Sequence, residues 1–256
     1  MSSASPGKEV HRAGKCALFV AVLAVFLASG KSQAAVNNIC GNLHNAYGPY
    51  DYTSPEDKLQ KLPIVEIAHF TEEVEEGIQG ASSTVGGDLD YTLRAFPNHH
   101  RALAAMARVA LRDRAIMLRG AKYPVECYFE RAIRFKPTDG AVHGEYGNYL
   151  FALGKTDRAM EEFKRAITLE PNNPSINYNL GLAYFKTKDF DQALVFAKKA
   201  YSMGFPLPGL KNKLIEAGKW QEPVAAPAPP IEKDAAADSQ ADKSGKPAAQ
   251  PADAHP

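Results

Sequence analysis

The chain has 256 residues, a formal net charge of +1, 45% hydrophobic residues and 23% charged residues. These are ordinary globular values for one or two domains, and they exclude a wholly disordered chain, a collagen and a multi-span membrane protein. A near-neutral balance gives no case for nucleic acid as a partner.

Residues 1–34 read as an export signal. Lys8, Arg12 and Lys15 form a basic region, and Cys16 to Gly30 is an uncharged apolar run. Lys31 ends the run, and Ser32 and Ala34 supply small residues for cleavage after Ala34. The run is shorter than the roughly 20 residues of a usual membrane-spanning helix. Cleavage therefore predicts a periplasmic protein with no membrane span, and an uncleaved signal predicts a membrane anchor. Losing residues 1–34 removes four of the 30 basic and one of the 29 acidic residues, leaving a net charge of −2. Cys16 leaves with the signal. Cys40 and Cys127 remain, an even number in an oxidising compartment. Neither cysteine has the spacing of a metal site, so no metal or other cofactor is expected.

Residues 35–87 form an irregular N-terminal segment. Ser54-Pro55-Glu56-Asp57 is a good start for a short helix. Pro63 to Phe70 is ambiguous between strand and helix. Thr71 then caps an acidic helical turn. Gly86-Gly87 reads as a plain turn, without the spacing of a phosphate loop. Asp88 to Phe96 could be a strand, but Leu89, Leu93 and Phe96 fit a helix better.

From there to residue 220 the chain repeats. Gly147 and Gly181 differ by 34 in number, and so do Ala159 and Ala193, and Ala166 and Ala200. The same step back from Phe163, Ala166 and Pro171 reaches Phe129, Ala132 and Pro137, and Gly154 reaches Gly120. Each unit reads as two helices. His143, Tyr146, Gly147 and Leu150 make one apolar stripe, and Ala159, Phe163 and Ala166 make the other. The step from Pro97 to Pro137 is 40, so six extra residues precede Gly120. They are expected to lengthen a first helix over 98–118, with Leu103, Met106, Ala107 and Ala110 inward. Pro208 to Trp220 reads as a cap helix, with Leu210, Leu214 and Ala217 on one face. Residues 221–256 are half Ala and Pro with no aromatic residue, and form a disordered tail. That tail is either inert or a short linear ligand or spacer.

Tyr146-Gly147, Leu150, Ala159, Phe163, Ala166 and Pro171 resemble the tetratricopeptide-repeat (TPR) signature, and Leu180-Gly181, Tyr184, Ala193 and Ala200 match it again. The resemblance is to exported bacterial TPR proteins. It implies an all-α fold: a short right-handed array of helical pairs with an irregular N-terminal segment and a cap helix. It also implies a non-enzymatic scaffold or adaptor that holds a protein or peptide in a concave groove lined by the first helices. The groove-facing offsets fall on Arg101, Ala104, Arg108, Gly144, Asn148, Tyr178, Asn179, Leu182 and Lys186. Asn148 and Asn179 stand where family members often hold a peptide backbone by side-chain amides. Gly144 replaces the lysine of a carboxylate clamp, which puts recognition of a C-terminal carboxylate in doubt. Two other roles remain open: an assembly subunit of a pilus or secretion machine, and an enzyme built on residues 36–100. The enzyme would need His69, Asp88 or His100 to converge in a pocket.

A disulfide between Cys40 and Cys127 is expected on position as well as parity. On a helix over 123–135 with Val125, Phe129 and Ala132 inward, Cys127 lies with Glu130, Arg131 and Arg134 on the polar face. A wrapping N-terminal segment would pin it there.

Overall fold

The computed structural model describes Met1 and residues 39–220. Residues 2–38, with the expected export signal, and the Ala/Pro-rich stretch 221–256 lie outside the described residues. Among the described residues there are eleven helices and no strand.

The repeat is set by three helix starts in register. His99, Asp139 and Asn173 precede α5 (His100–Asp113), α7 (Gly140–Ala152) and α9 (Pro174–Lys186). Each side chain accepts the backbone N–H three residues on, from Ala102, Val142 and Ile176 at 3.1, 3.3 and 3.2 Å. The N-terminal turn of a helix has N–H groups without partners, and this position satisfies one of them in each unit. His99 does so through Nδ1, so its proton is on Nε2, which donates to Glu66 at 3.1 Å. Burial lowers the His99 pKa and keeps the ring neutral.

The second helices are α6 (Val125–Phe135), α8 (Thr156–Leu169) and α10 (Phe190–Ser202), and each of the last two packs on its own first helix. Gly147 makes the α7–α8 approach possible, because a Cβ there would stand 2.6 Å from the Phe163 ring. A core of Val125, Phe129, Tyr146, Leu150 and Phe163 runs between the units, with Phe129 stacked on Tyr146 at 4.9 Å. The cap helix α11 (Gly209–Glu216) buries Leu210 and Leu214 on the last pair. The described residues thus form an all-α array of helical pairs.

Several elements differ from the sequence reading. The six extra residues do not lengthen α5, which stops at Asp113 because Arg114 turns into the left-handed region at φ 52°. They form a loop, 114–124, tied down by Val125 N–H to Ile116 O at 2.9 Å and by Lys122 N–H to Asp90 at 3.2 Å. Gly86-Gly87 is not a turn. It opens α4 (Val85–Ala95), where Thr84 accepts the Gly87 N–H and Gly86 lets Arg119 approach. The N-terminal segment is more regular than expected. It holds α1 (Pro55–Gln60), α2 (Leu62–His69) and α3 (Glu72–Glu76). Residues 63–69 resolve as helix and Phe70 ends it, because Leu62 and Val65, three apart, bury one face against Ala95 and Phe96.

The polar face of α6 is covered. Cys127 is buried, its sulfur stands 2.12 Å from that of Cys40, and the two Cα atoms are 5.0 Å apart. Arg131 is fully buried and donates to the carbonyls of Cys40 and Asn42, and Arg134 donates to Gly41 O at 2.8 Å. Residues 40–42 therefore lie over α6 by backbone carbonyls fixed to arginines.

Candidate partner-binding groove

Each first helix has one stripe that the repeat itself does not cover. On α5 it is Arg101, Ala104, Arg108 and Leu111; on α7, Ala141, Glu145, Asn148 and Phe151; on α9, Ser175, Asn179, Leu182 and Lys186. The spacings of three and four place each set on one helix face. The stripes are in register: Arg108, Asn148 and Leu182 share one repeat position, and Glu145 and Asn179 share another. The two asparagines are therefore not equivalent residues. They stand one helical turn apart along neighbouring helices.

The predicted contacts divide. Arg101 makes a bidentate pair with the Glu75 carboxylate, and Arg108 donates to the Glu75 carbonyl. Arg112 donates to Gly77 O at 2.8 Å. These three arginines satisfy the carbonyls and the charge at the end of α3, as cations do at helix C-termini. Arg101 and Arg108 thus brace α3 against α5. Tyr178 is also internal: it is buried and stacks on Phe205 at 4.1 Å, under the segment that leads into the cap helix. Sequence spacing sets it beside Asn179, but a residue one step round the helix faces the next element instead.

The groove is then formed by α7 and α9. Asn148 Nδ2 donates to Glu145 Oε2 at 3.3 Å. Asn179 is half-exposed, and its side chain has no hydrogen bond among the described residues. Lys186 sets its ammonium 4.7 Å over the Phe151 ring. The Glu145 carboxyl has its pKa raised by burial, although Asn148, His100 and Arg108 all act to lower it. Glu145 escaped the sequence reading, yet stepping back one repeat period from Asn179 finds it.

Of the histidines and aspartates of the N-terminal half, His69 and Asp88 meet, while His100 stands apart from them. His69 Nδ1 meets Asp88 at 3.0 Å. The same carboxylate accepts the N–H groups of Ala81, Ser82 and Ser83 at 2.7, 3.1 and 3.1 Å. Burial would raise the Asp88 pKa, but these donors hold it below the ordinary value. His100 turns to Asp139 instead, at 2.9 Å. Each of these groups holds a loop or a helix start. No group of three or more His, Cys, Asp or Glu among the described residues could hold a metal ion, and no described helix is long and apolar enough to cross a membrane.

Two family profiles match the chain, "TPR repeat" over residues 147–188 and "Tetratricopeptide repeat" over residues 174–203. Together they place tetratricopeptide-repeat sequence over residues 147–203. No curated protein matches its sequence. Among solved structures, similar chains include Pseudomonas aeruginosa PilF, with 18% identity, 64% of this chain and 70% of that chain covered, and a TM-score of 0.45. The MamA protein aligns at 14% identity over 74% of this chain and 85% of its own, with a TM-score of 0.39. A point mutant of MamA aligns at 20% identity over 46% of this chain and 66% of its own, with a TM-score of 0.33. TPR repeats generally mediate protein–protein interaction and are generally non-catalytic, which supports an interaction-scaffold role.

Proposed function

We propose that the protein is an exported adaptor that seats a protein or peptide partner across the uncovered faces of α7 and α9. The observation that carries this reading is the state of the two amides. Asn179 has no side-chain partner among the described residues, and Asn148 has one long bond to Glu145. An amide carries both a donor and an acceptor, which suits a peptide unit. Arg101, Arg108 and His100, on the neighbouring α5, are by contrast engaged within the fold. The site of action is the periplasm, reached by the signal in residues 1–34.

The test is partner capture from envelope extract. Changing both Asn148→Ala and Asn179→Ala loses about 1 kcal/mol for each hydrogen bond made to the partner. Capture should fall by about tenfold or more while the helical spectrum is unchanged. Capture that survives this change, but is abolished by substitutions in α1–α3, refutes the groove. N-terminal sequencing of protein from the native host tests export. The expected start is Ala35, and an intact Met1 in the soluble cytosolic fraction refutes it.

A further inference from the structure

The six-residue insertion opens a cavity outside the groove. It lies where α5 ends, where α6 begins and where α7 turns into α8. Its volume is about 510 Å³, and Leu111, Ile116, Pro124, Tyr149 and Leu153 supply its apolar lining. That size falls within the roughly 300–1,000 Å³ of sites that take small ligands or anchoring side chains. The cavity follows from the backbone. Arg114 turns α5 aside at φ 52°, and the Ile116 carbonyl is held by the Val125 N–H, so the loop stands off from α7.

Two features mark the mouth. One lip carries Ile116 at 80% exposure, next to Met117 at 53%, and the other carries Leu153 at 43%. A loop of this length could carry polar residues without penalty, and it carries large aliphatic ones in water. The charge at the mouth is positive. Arg114 has no ion pair among the described residues. Lys155 pairs with Glu126, the one carboxylate among the lining residues, so Arg114 is left as the unpaired charge at the mouth. Insertions in a repeat array often fall on a binding face.

We infer that this cavity is a second binding site, which takes a partner segment with a bulky apolar side chain followed by acidic residues. The side chain fills the space between Leu111, Tyr149 and Leu153. The carboxylates meet Arg114 and Lys155. The site is independent of the groove on α7 and α9, and either can fail without the other.

The test uses the full chain and two probe peptides, acetylated Ser-Gly-Phe-Asp-Asp and acetylated Ser-Gly-Phe-Lys-Lys, titrated to millimolar concentration and followed by backbone amide resonances. The acidic probe should shift Ala115, Ile116 and Leu153 saturably and bind at least tenfold more tightly than the basic one. Arg114→Asn keeps a residue suited to a positive φ and removes the cation. Leu153→Asp places a charge on the lip. Each should weaken the acidic probe at least fivefold with the fold intact, and the Asn148→Ala, Asn179→Ala double change should leave it unaltered. Equal affinity for both probes, no saturation, or loss of binding only in the asparagine variant overturns the proposal. So does self-association of the probe-free chain that Leu153→Asp abolishes, because the cavity would then belong to a second copy.

Discussion

Removing the Cys40–Cys127 link tests how the N-terminal segment is held. The two cysteines have a sequence separation of 87. In the chain-entropy description, releasing a loop of that length costs about 4–5 kcal/mol of stability at 25 °C. Small domains have in total about 5–15 kcal/mol. Cys40→Ser with Cys127→Ser should therefore lower the urea midpoint strongly. The loss should not fall evenly. Residues 40–42 are also tied to α6 by Arg131 and Arg134, which donate to their backbone carbonyls. Freed of the cross-link, that stretch of chain can leave, and Arg131, now fully buried, would meet water. Helices α7 to α11 have no contact that depends on the link. Limited proteolysis should cut first near Lys58 and Lys61, which lie in or beside α1, while the repeats persist. The helical signal should fall only later. In the unreduced, unfolded wild-type chain with its signal removed, alkylation should find no free thiol. An unchanged urea midpoint, or simultaneous loss of the segment and the repeats, would refute this account.

Two further outcomes follow from the packing. Gly147→Ala gains up to about 1 kcal/mol of helix propensity but sets a methyl 2.6 Å from the buried Phe163 ring, an overpacking cost of about 1–3 kcal/mol. The net should be a loss of up to about 2 kcal/mol in urea unfolding, and a gain would show that α7 and α8 part more easily than the geometry implies. Asp88 has its pKa depressed, so its contribution is present above the unfolded value near 4 and is lost as pH falls through the folded value. Asp88→Asn should cost about 2–4 kcal/mol at pH 7 by weakening charge-assisted bonds to Ala81, Ser82 and Ser83, and should flatten the fall in stability below pH 4. An unaltered acid limb in thermal melts would assign that limb to other carboxylates.

The repeat was legible because its signals are local. A glycine facing Phe163 and alanines between helices recur with a period of 34, as does the proline from Pro137 to Pro171, and each acts within its own unit. The helix starts were equally local once aligned. His99 takes the place of Asp139 and Asn173 because its Nδ1 is an acceptor at the right position, although histidine is not a usual cap. What the sequence did not disclose depends on contacts between distant segments. Cys127 on the polar face of α6 pointed to a wrapping N-terminal segment, but not to the contacts it makes: residues 40–42 bring carbonyls to Arg131 and Arg134 from about 90 positions away.

The groove shows the same division in its chemistry. Periodicity located the first helices and the face they leave open, but it could not tell an engaged side chain from a free one. Arg101 and Arg108 lie on that face, and α3 arrives to take them, a helix outside the repeat that no period of 34 predicts. Asn148 and Asn179 lie on helices that α3 does not reach, so their amides stay available. The insertion behaves likewise. Counting residues finds six too many, but the left-handed turn at Arg114 decides that they open a cavity instead of adding turns to α5. Both proposed binding sites therefore fall where the repeat is interrupted or left uncovered, and the packing that holds the array falls where it is kept.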